Sequence, residues 1–257
     1  MIEKYYNGVI EQVAGGIGNV EHNSILVRYS NDFSIWDLES VNHYKDQTDI
    51  FFTCHEFSYN KIAEAYEPYL GLIRQMFHKY CSGTLEEFME ECDVYKLQRP
   101  VFESYFEKGF CERTEQILID EVEYEQERMR NSIVTMLQKL SEIRPVVIVL
   151  NRFQLASKST MQLSNSLLQV KNKNIGIVLG VNDVQSIPEF AHEEWDAICE
   201  SMDDRNMVYH IGNAGRNMEP DVMDYYSDYE SDDGYRKLNN LVYFLDFDQA
   251  DHHLSKI

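Results

Sequence analysis

Several groups of side chains in this sequence have types and spacing that invite a chemical reading. Cys54-His55-Glu56 places a thiol, an imidazole and a carboxylate in consecutive positions. A nucleophile and its base must converge on one atom, and consecutive side chains of an extended chain point to opposite faces. The run therefore reads as structure rather than as a catalytic pair. His252-His253 fails as a metal site for a similar reason, since neighbours on a helix diverge and the pair is too incomplete a ligand set. Glu86, Glu87, Glu90 and Glu91 fall on one short helix. Paired-carboxylate hydrolysis needs two acids across a pocket in different protonation states; this spacing gives a solvated face. Asp221, Asp224, Asp228, Asp232 and Asp233 are acidic enough to hold calcium weakly, but they lack the spacing of a tight calcium loop.

The more informative positions are those where a phosphate-binding loop belongs. Such a loop follows the first strand with GxxxxGK[ST]: glycines for the amide nest, lysine for the phosphates, a hydroxyl for magnesium. The segment here is Arg28-Tyr29-Ser30-Asn31-Asp32-Phe33-Ser34-Ile35. With Arg28 at the first glycine, Phe33, Ser34 and Ile35 stand where Gly-Lys-Ser is required. Phe33 disfavours the glycine conformation, Ser34 carries no charge and Ile35 has no oxygen for a metal. Hydrolysis also needs a carboxylate after a buried strand, the Walker B position. Val146-Val147-Ile148-Val149-Leu150 is the strongest strand pattern in the chain, and Asn151-Arg152 follows it. An amide replaces the metal-associated acid, and Arg152 is placed to neutralise a nearby Glu or Asp. Asn182, after the next apolar run, reads either as a ligand contact or as the cap of a following helix.

The elements that must position these residues follow from periodicity. Short apolar runs predict strands at 25–27, 50–53, 146–150, 175–181 and 207–211. Apolar residues at helical spacing predict helices within 34–44 and over 60–80, with Pro68 a kink or restart, and over 115–143. Shorter helices are expected after the Thr84-Leu85-Glu86-Glu87 capping box, over 100–106 and over 159–170, with a further one within 184–202. Gly15-Gly16-Ile17-Gly18-Asn19 reads as a flexible turn. The order predicts an α/β domain over 1–215 with a mainly parallel five-stranded sheet and a helical insertion at about 59–144. An acidic loop over 216–234 and a helical segment over 235–257, leading on to a further helical domain, complete the expected organisation.

Composition bounds the partners. Lys and Arg number 23 against 44 Asp and Glu, a formal charge of −21, which disfavours both a phosphate backbone and an anionic membrane surface. No 18-residue apolar run suggests a transmembrane helix and no basic, apolar start suggests a secretory signal. Cys54, Cys81, Cys92, Cys111 and Cys199 are odd in number and form no CxxC, which fits free thiols in a reducing cytoplasm.

Three segments resemble one family. Phe52-Thr53-Cys54 through Glu64-Ala65-Tyr66-Glu67-Pro68-Tyr69-Leu70-Gly71-Leu72-Ile73-Arg74 is similar to the region after the second strand of STAND ATPases, the AAA-related signalling ATPases. Leu150-Asn151-Arg152-Phe153-Gln154-Leu155-Ala156-Ser157 resembles their Walker B strand and the loop beyond. Ile175-Gly176-Ile177-Val178-Leu179-Gly180-Val181-Asn182-Asp183 resembles the strand that carries a polar sensor, here Asn182. The resemblance covers roughly 24–211 and implies a three-layer P-loop NTPase-like fold with sheet order 5-1-4-3-2. It also implies ATP-controlled assembly, often beside helical repeats and regulatory output domains. Ser34, Ile35 and Asn151 depart from the family pattern, so the expected function is a non-catalytic scaffold acting through protein contacts in cytoplasmic signalling. The alternative is a regulatory domain that binds a nucleotide without efficient hydrolysis. No cofactor is expected; weak binding of ATP or another nucleotide stays open.

Overall fold

A computed structural model describes residues 3–18, 23–29, 49–58, 61–111, 122–170, 172–182, 187–203, 208–211 and 232–255. The strands are β1 (Ser24–Tyr29), β2 (Phe51–Glu56), β3 (Val146–Asn151), β4 (Ile175–Asn182) and β5 (Val208–Ile211). The helices are α1 (Glu3–Gly16), α2 (Tyr69–Tyr80), α3 (Leu85–Glu91), α4 (Arg99–Lys108), α5 (Val122–Ile143), α6 (Lys158–Gln169), α7 (His192–Asp203), α8 (Asp232–Tyr243) and α9 (Phe247–Leu254). The chain divides into two compact units: Met1–Ser58, Ser141–Ala156 and Ser164–Val222 form one, and Tyr59–Leu140, Ser157–Leu163 and Met223–Ile257 the other.

The first unit holds a parallel sheet. Its body is β2-β3-β4-β1, and the short β5 extends the edge beside β1. The expected order 5-1-4-3-2 is this sequence of strands read from the opposite edge. The unbroken apolar run of β3 has a simple cause: β3 lies between β2 and β4, and every one of its residues is buried. β2, on the sheet's other edge, is largely half-buried and admits Thr53 and His55. α1 packs against β4 and β1. This corrects the turn expected at Gly15-Gly16, which are helical; the chain turns at Gly18, with φ 94°, whose N–H donates to the Lys173 carbonyl at 2.6 Å. Gly176 is a glycine because of close approach: a Cβ there would lie 2.6 Å from Val13 Cγ1 and 3.2 Å from Val147 Cγ2. The helix expected within 184–202 begins at His192, after Pro188 and a 3-10 turn over Glu189–Ala191. The helix expected within 34–44 lies outside the described residues.

The second unit is helical. α2 starts at Tyr69, not at 60: Pro68 serves as its N-cap, so the segment before it is irregular. The Thr84 capping box forms as expected, with Glu87 N–H donating to Thr84 Oγ1 at 3.2 Å and Thr84 N–H to Glu87 Oε2 at 2.8 Å. α4 ends at Gly109, whose φ of 80° needs no Cβ. α5 buries Met129, Ile133, Met136, Leu137 and Leu140, the expected stripe; the expected first turns, from 115, lie outside the described residues. Aromatic rings fill the core: Phe77 meets Phe88 at 5.1 Å and Phe106 at 5.7 Å. Phe244 is ringed by Tyr66, Phe102 and Tyr105. Of the acidic loop expected over 216–234, residues 216–231 lie outside the described residues, and its last three residues belong to α8, which begins at Asp232. The segment after it is a pair of helices, α8 and α9, broken at Leu245 and Asp246.

Candidate functional site

Parallel strands end on the same side, so the sheet collects its carboxyl-terminal residues along one edge. Tyr29 stands opposite Asn182 and Glu56 opposite Asn151 in the register. Strands that are apolar along most of their length thus finish in polar side chains, and Tyr29, Asn151 and Asn182 are all buried. Open α/β sheets bind ligands beyond this edge.

Asn151 is the centre of the arrangement. Its Oδ1 accepts from the Tyr29 hydroxyl at 3.1 Å and from the Arg152 backbone N–H at 3.0 Å. Because a backbone N–H can only donate, the amide orientation is fixed with oxygen on that side. The Nδ2 group is buried and has no hydrogen-bond partner among the described residues. Leaving such a donor unsatisfied costs about 1–3 kcal/mol. Arg152 adopts left-handed backbone, φ 52°, and its Nε lies 3.4 Å from Glu56 Oε1. The expected neutralisation of an acid by Arg152 is thus realised on the neighbouring strand. Asn182 donates its backbone N–H to Gln154 Oε1 at 3.2 Å, and Gln154 is fully buried.

The edge therefore brings together Asn151 and Asn182, with Arg152 at the rim. It does not bring in Arg28, which was expected near the first turn of a phosphate loop. Alternation along β1 sends Arg28 to the opposite face from Tyr29. There its guanidinium lies 5.7 Å from the Trp195 ring centroid and Nη2 donates to Cys199 Sγ at 3.1 Å. Burial raises the Cys199 thiol above its ordinary range, and Arg28 opposes that rise. Phe33, Ser34 and Ile35 lie outside the described residues. Tyr29 and Gln154 were missed by sequence reasoning, because a tyrosine or glutamine beside a strand has no motif; only the register shows them converging.

The other tempting groups sort as structure. Glu56 of the Cys54-His55-Glu56 run pairs with Arg152, while His55 packs edge-on against Phe57 at 4.5 Å. Glu86, Glu87, Glu90 and Glu91 are exposed on α3. His253 is buried, 2.7 Å from Gln249 Nε2. Among the described residues no group of three or more His, Cys, Asp or Glu could hold a metal ion.

A second polar cluster, also missed from sequence, lies in the helical unit at the start of α6. Ser157 Oγ donates to the Glu64 carbonyl at 3.0 Å and accepts from the Thr160 N–H at 3.3 Å. Ser159 Oγ accepts from the Tyr66 N–H at 3.2 Å. Asp246 Oδ2 accepts from the Ser159 N–H at 3.0 Å and Oδ1 from the Gln249 N–H at 3.4 Å, so one carboxylate caps α6 and α9 together. Burial lifts the Asp246 carboxyl above its ordinary range, opposed by those hydrogen bonds. Burial, with the Asp246 charge, also pushes the Tyr66 hydroxyl up. These serines meet backbone groups, each other's hydroxyls and that of Thr160, and the Asp246 carboxylate, with no imidazole among those partners to act as a base, so the cluster reads as a knot of helix caps.

No protein-family model, curated protein or solved structure matches this chain.

Proposed function

We propose that the chain is a non-catalytic regulatory or scaffold domain of the STAND type, a degenerate three-layer P-loop NTPase-like fold working through protein contacts in cytoplasmic signalling. The observation that carries the reading is Asn151. At the end of β3, an interior strand, where nucleotide hydrolysis needs a free carboxylate, stands a neutral amide whose oxygen is already engaged by Tyr29 and Arg152. The nearest described acid on the adjoining strand, Glu56, is paired with Arg152. The parallel sheet and its strand order agree with what the family resemblance implies. No helix among the described residues is long and apolar enough to cross a membrane. On this view the partners are proteins or covalently linked regulatory and helical-repeat domains.

The test is steady-state phosphate release from ATP and GTP with magnesium, for the wild type beside an Asn151→Ala, Arg152→Ala double variant. Both should match a protein-free control. Nucleotide-dependent turnover by the wild type that disappears in the double variant would sink the reading. Saturable nucleotide binding without turnover would move the assignment to a nucleotide-binding regulatory domain.

A further inference from the structure

We infer that the carboxyl edge of β1, β4 and β3 receives an uncharged small molecule bearing a carbonyl or ring-nitrogen acceptor, held by the side-chain amide of Asn151. This goes beyond the scaffold reading and does not depend on it. Two independent observations carry it. The first is the buried Asn151 Nδ2 group, a donor with no partner among the described residues. Buried amide donors are almost always satisfied, more consistently than acceptors. Gln98 Oε1 and Gln249 Oε1 are also unpartnered, but both are acceptors on longer side chains outside the sheet. The Asn151 amide is instead held by two hydrogen bonds, so its free face is fixed in direction.

The second observation is place. Tyr29, Asn151, Gln154 and Asn182 form a buried polar set beside the carboxyl ends of three adjacent strands. Parallel sheets offer ligands that edge. The chemistry of the edge selects the ligand class. Arg152 is held against Glu56 at the rim, and Arg28 is turned away to Trp195 and Cys199. With those two cations engaged elsewhere and a formal charge of −21 on the chain, a phosphate-bearing ligand meets an unfavourable field. No described acid cluster suits a metal. A neutral amide donor in a buried setting complements a neutral acceptor.

The full chain, labelled with nitrogen-15, is titrated with adenosine and with uridine, two uncharged molecules rich in such acceptors, and with ATP as the charged counterpart. The readout is the Asn151 side-chain amide pair, identified by triple-resonance assignment. A saturable shift of that pair with either nucleoside, at lower concentration than with ATP, is the expected result. Asn151→Leu should weaken nucleoside binding about tenfold, the size of one hydrogen bond. Tyr29→Phe, which leaves the side-chain amide in place but unfastens it, should weaken binding less. Should either variant fail to fold, the wild-type titration alone decides. No movement of the Asn151 pair with either nucleoside overturns the inference. So does a long-lived water contact to Nδ2 that persists at saturating nucleoside, or a response to ATP stronger than to adenosine. Phosphate release tests the scaffold reading separately, so the two can fail apart.

Discussion

The sheet unit and the helical unit bury polar side chains in contrasting ways. In the helical unit the hydroxyls of Ser157, Ser159 and Thr160 and the Asp246 carboxylate satisfy backbone groups of neighbouring segments. In the sheet unit the strands are apolar along most of their length, and polarity is confined largely to their ends, where Asn151 keeps one donor unspent. The difference separates two uses of burial. A polar group whose partners are the protein's own backbone specifies local geometry. One left open on a rigid strand, at the edge where ligands bind, is better placed to recognise something else.

The largest expected effect tests the apolar side of this contrast. Val147 is fully buried and paired on both sides, opposite Phe52 and Gly176. Val147→Asp should cost more than about 4 kcal/mol and unfold the sheet unit, since an isolated carboxylate there has no partner. Thermal denaturation showing a small loss would contradict central burial.

A smaller loss is expected in the polar knot. Asp246→Ala removes the acceptor for the Ser159 and Gln249 N–H groups and should cost about 2–3 kcal/mol; Asp246→Asn keeps a capping oxygen and should cost less. The pH dependence has a definite sign. Folding raises the Asp246 pKa, so the folded state binds the proton more tightly than the unfolded one. That contribution is fully present below the ordinary carboxylate range and is lost as pH rises through the raised folded value. The stability of the wild type relative to Asp246→Asn should therefore fall with rising pH across that window in denaturant titrations. A difference that rises with pH would show that the hydrogen bonds, not burial, set this carboxylate.

The smallest effect belongs to the solvent-exposed cap. Thr84→Ala should cost about 0.5–1 kcal/mol by denaturant unfolding. Here the Thr84 backbone hydrogen bond lowers the Glu87 pKa. Its contribution is present above the ordinary carboxylate pKa and lost on acidification through the lowered one, opposite in sign to Asp246. Comparing pH profiles of the two caps sharpens the distinction between buried and exposed satisfaction.

Much of the sheet was legible in sequence because burial on both faces demands apolar, β-branched residues over a short run. β3 and β4 lie within one residue of their expected bounds. The Thr84 capping box was legible because its partners are three residues apart. Helix boundaries near Pro68 and Pro188 were less so: proline reveals a break, but not on which side the chain becomes helical. α1 was missed because Gly15 and Gly16 signal a turn, whereas packing against the sheet carries the helix through them.

For the candidate site, sequence by itself determined the chemistry available: Asn151 and Arg152 after the apolar run 146–150, with no acid at either position, and Asn182 after the run 175–181. Only the tertiary structure decided which side chains meet. Tyr29 is 122 positions from Asn151 along the chain, and their hydrogen bond exists because β1 and β3 both flank β4 with their ends aligned. Arg28, one residue away, was carried to the opposite face by the alternation of the same strand. Local periodicity can show that a residue belongs to a strand, but the strand's neighbours and register fix where its side chain acts, and those are set by contacts between distant segments.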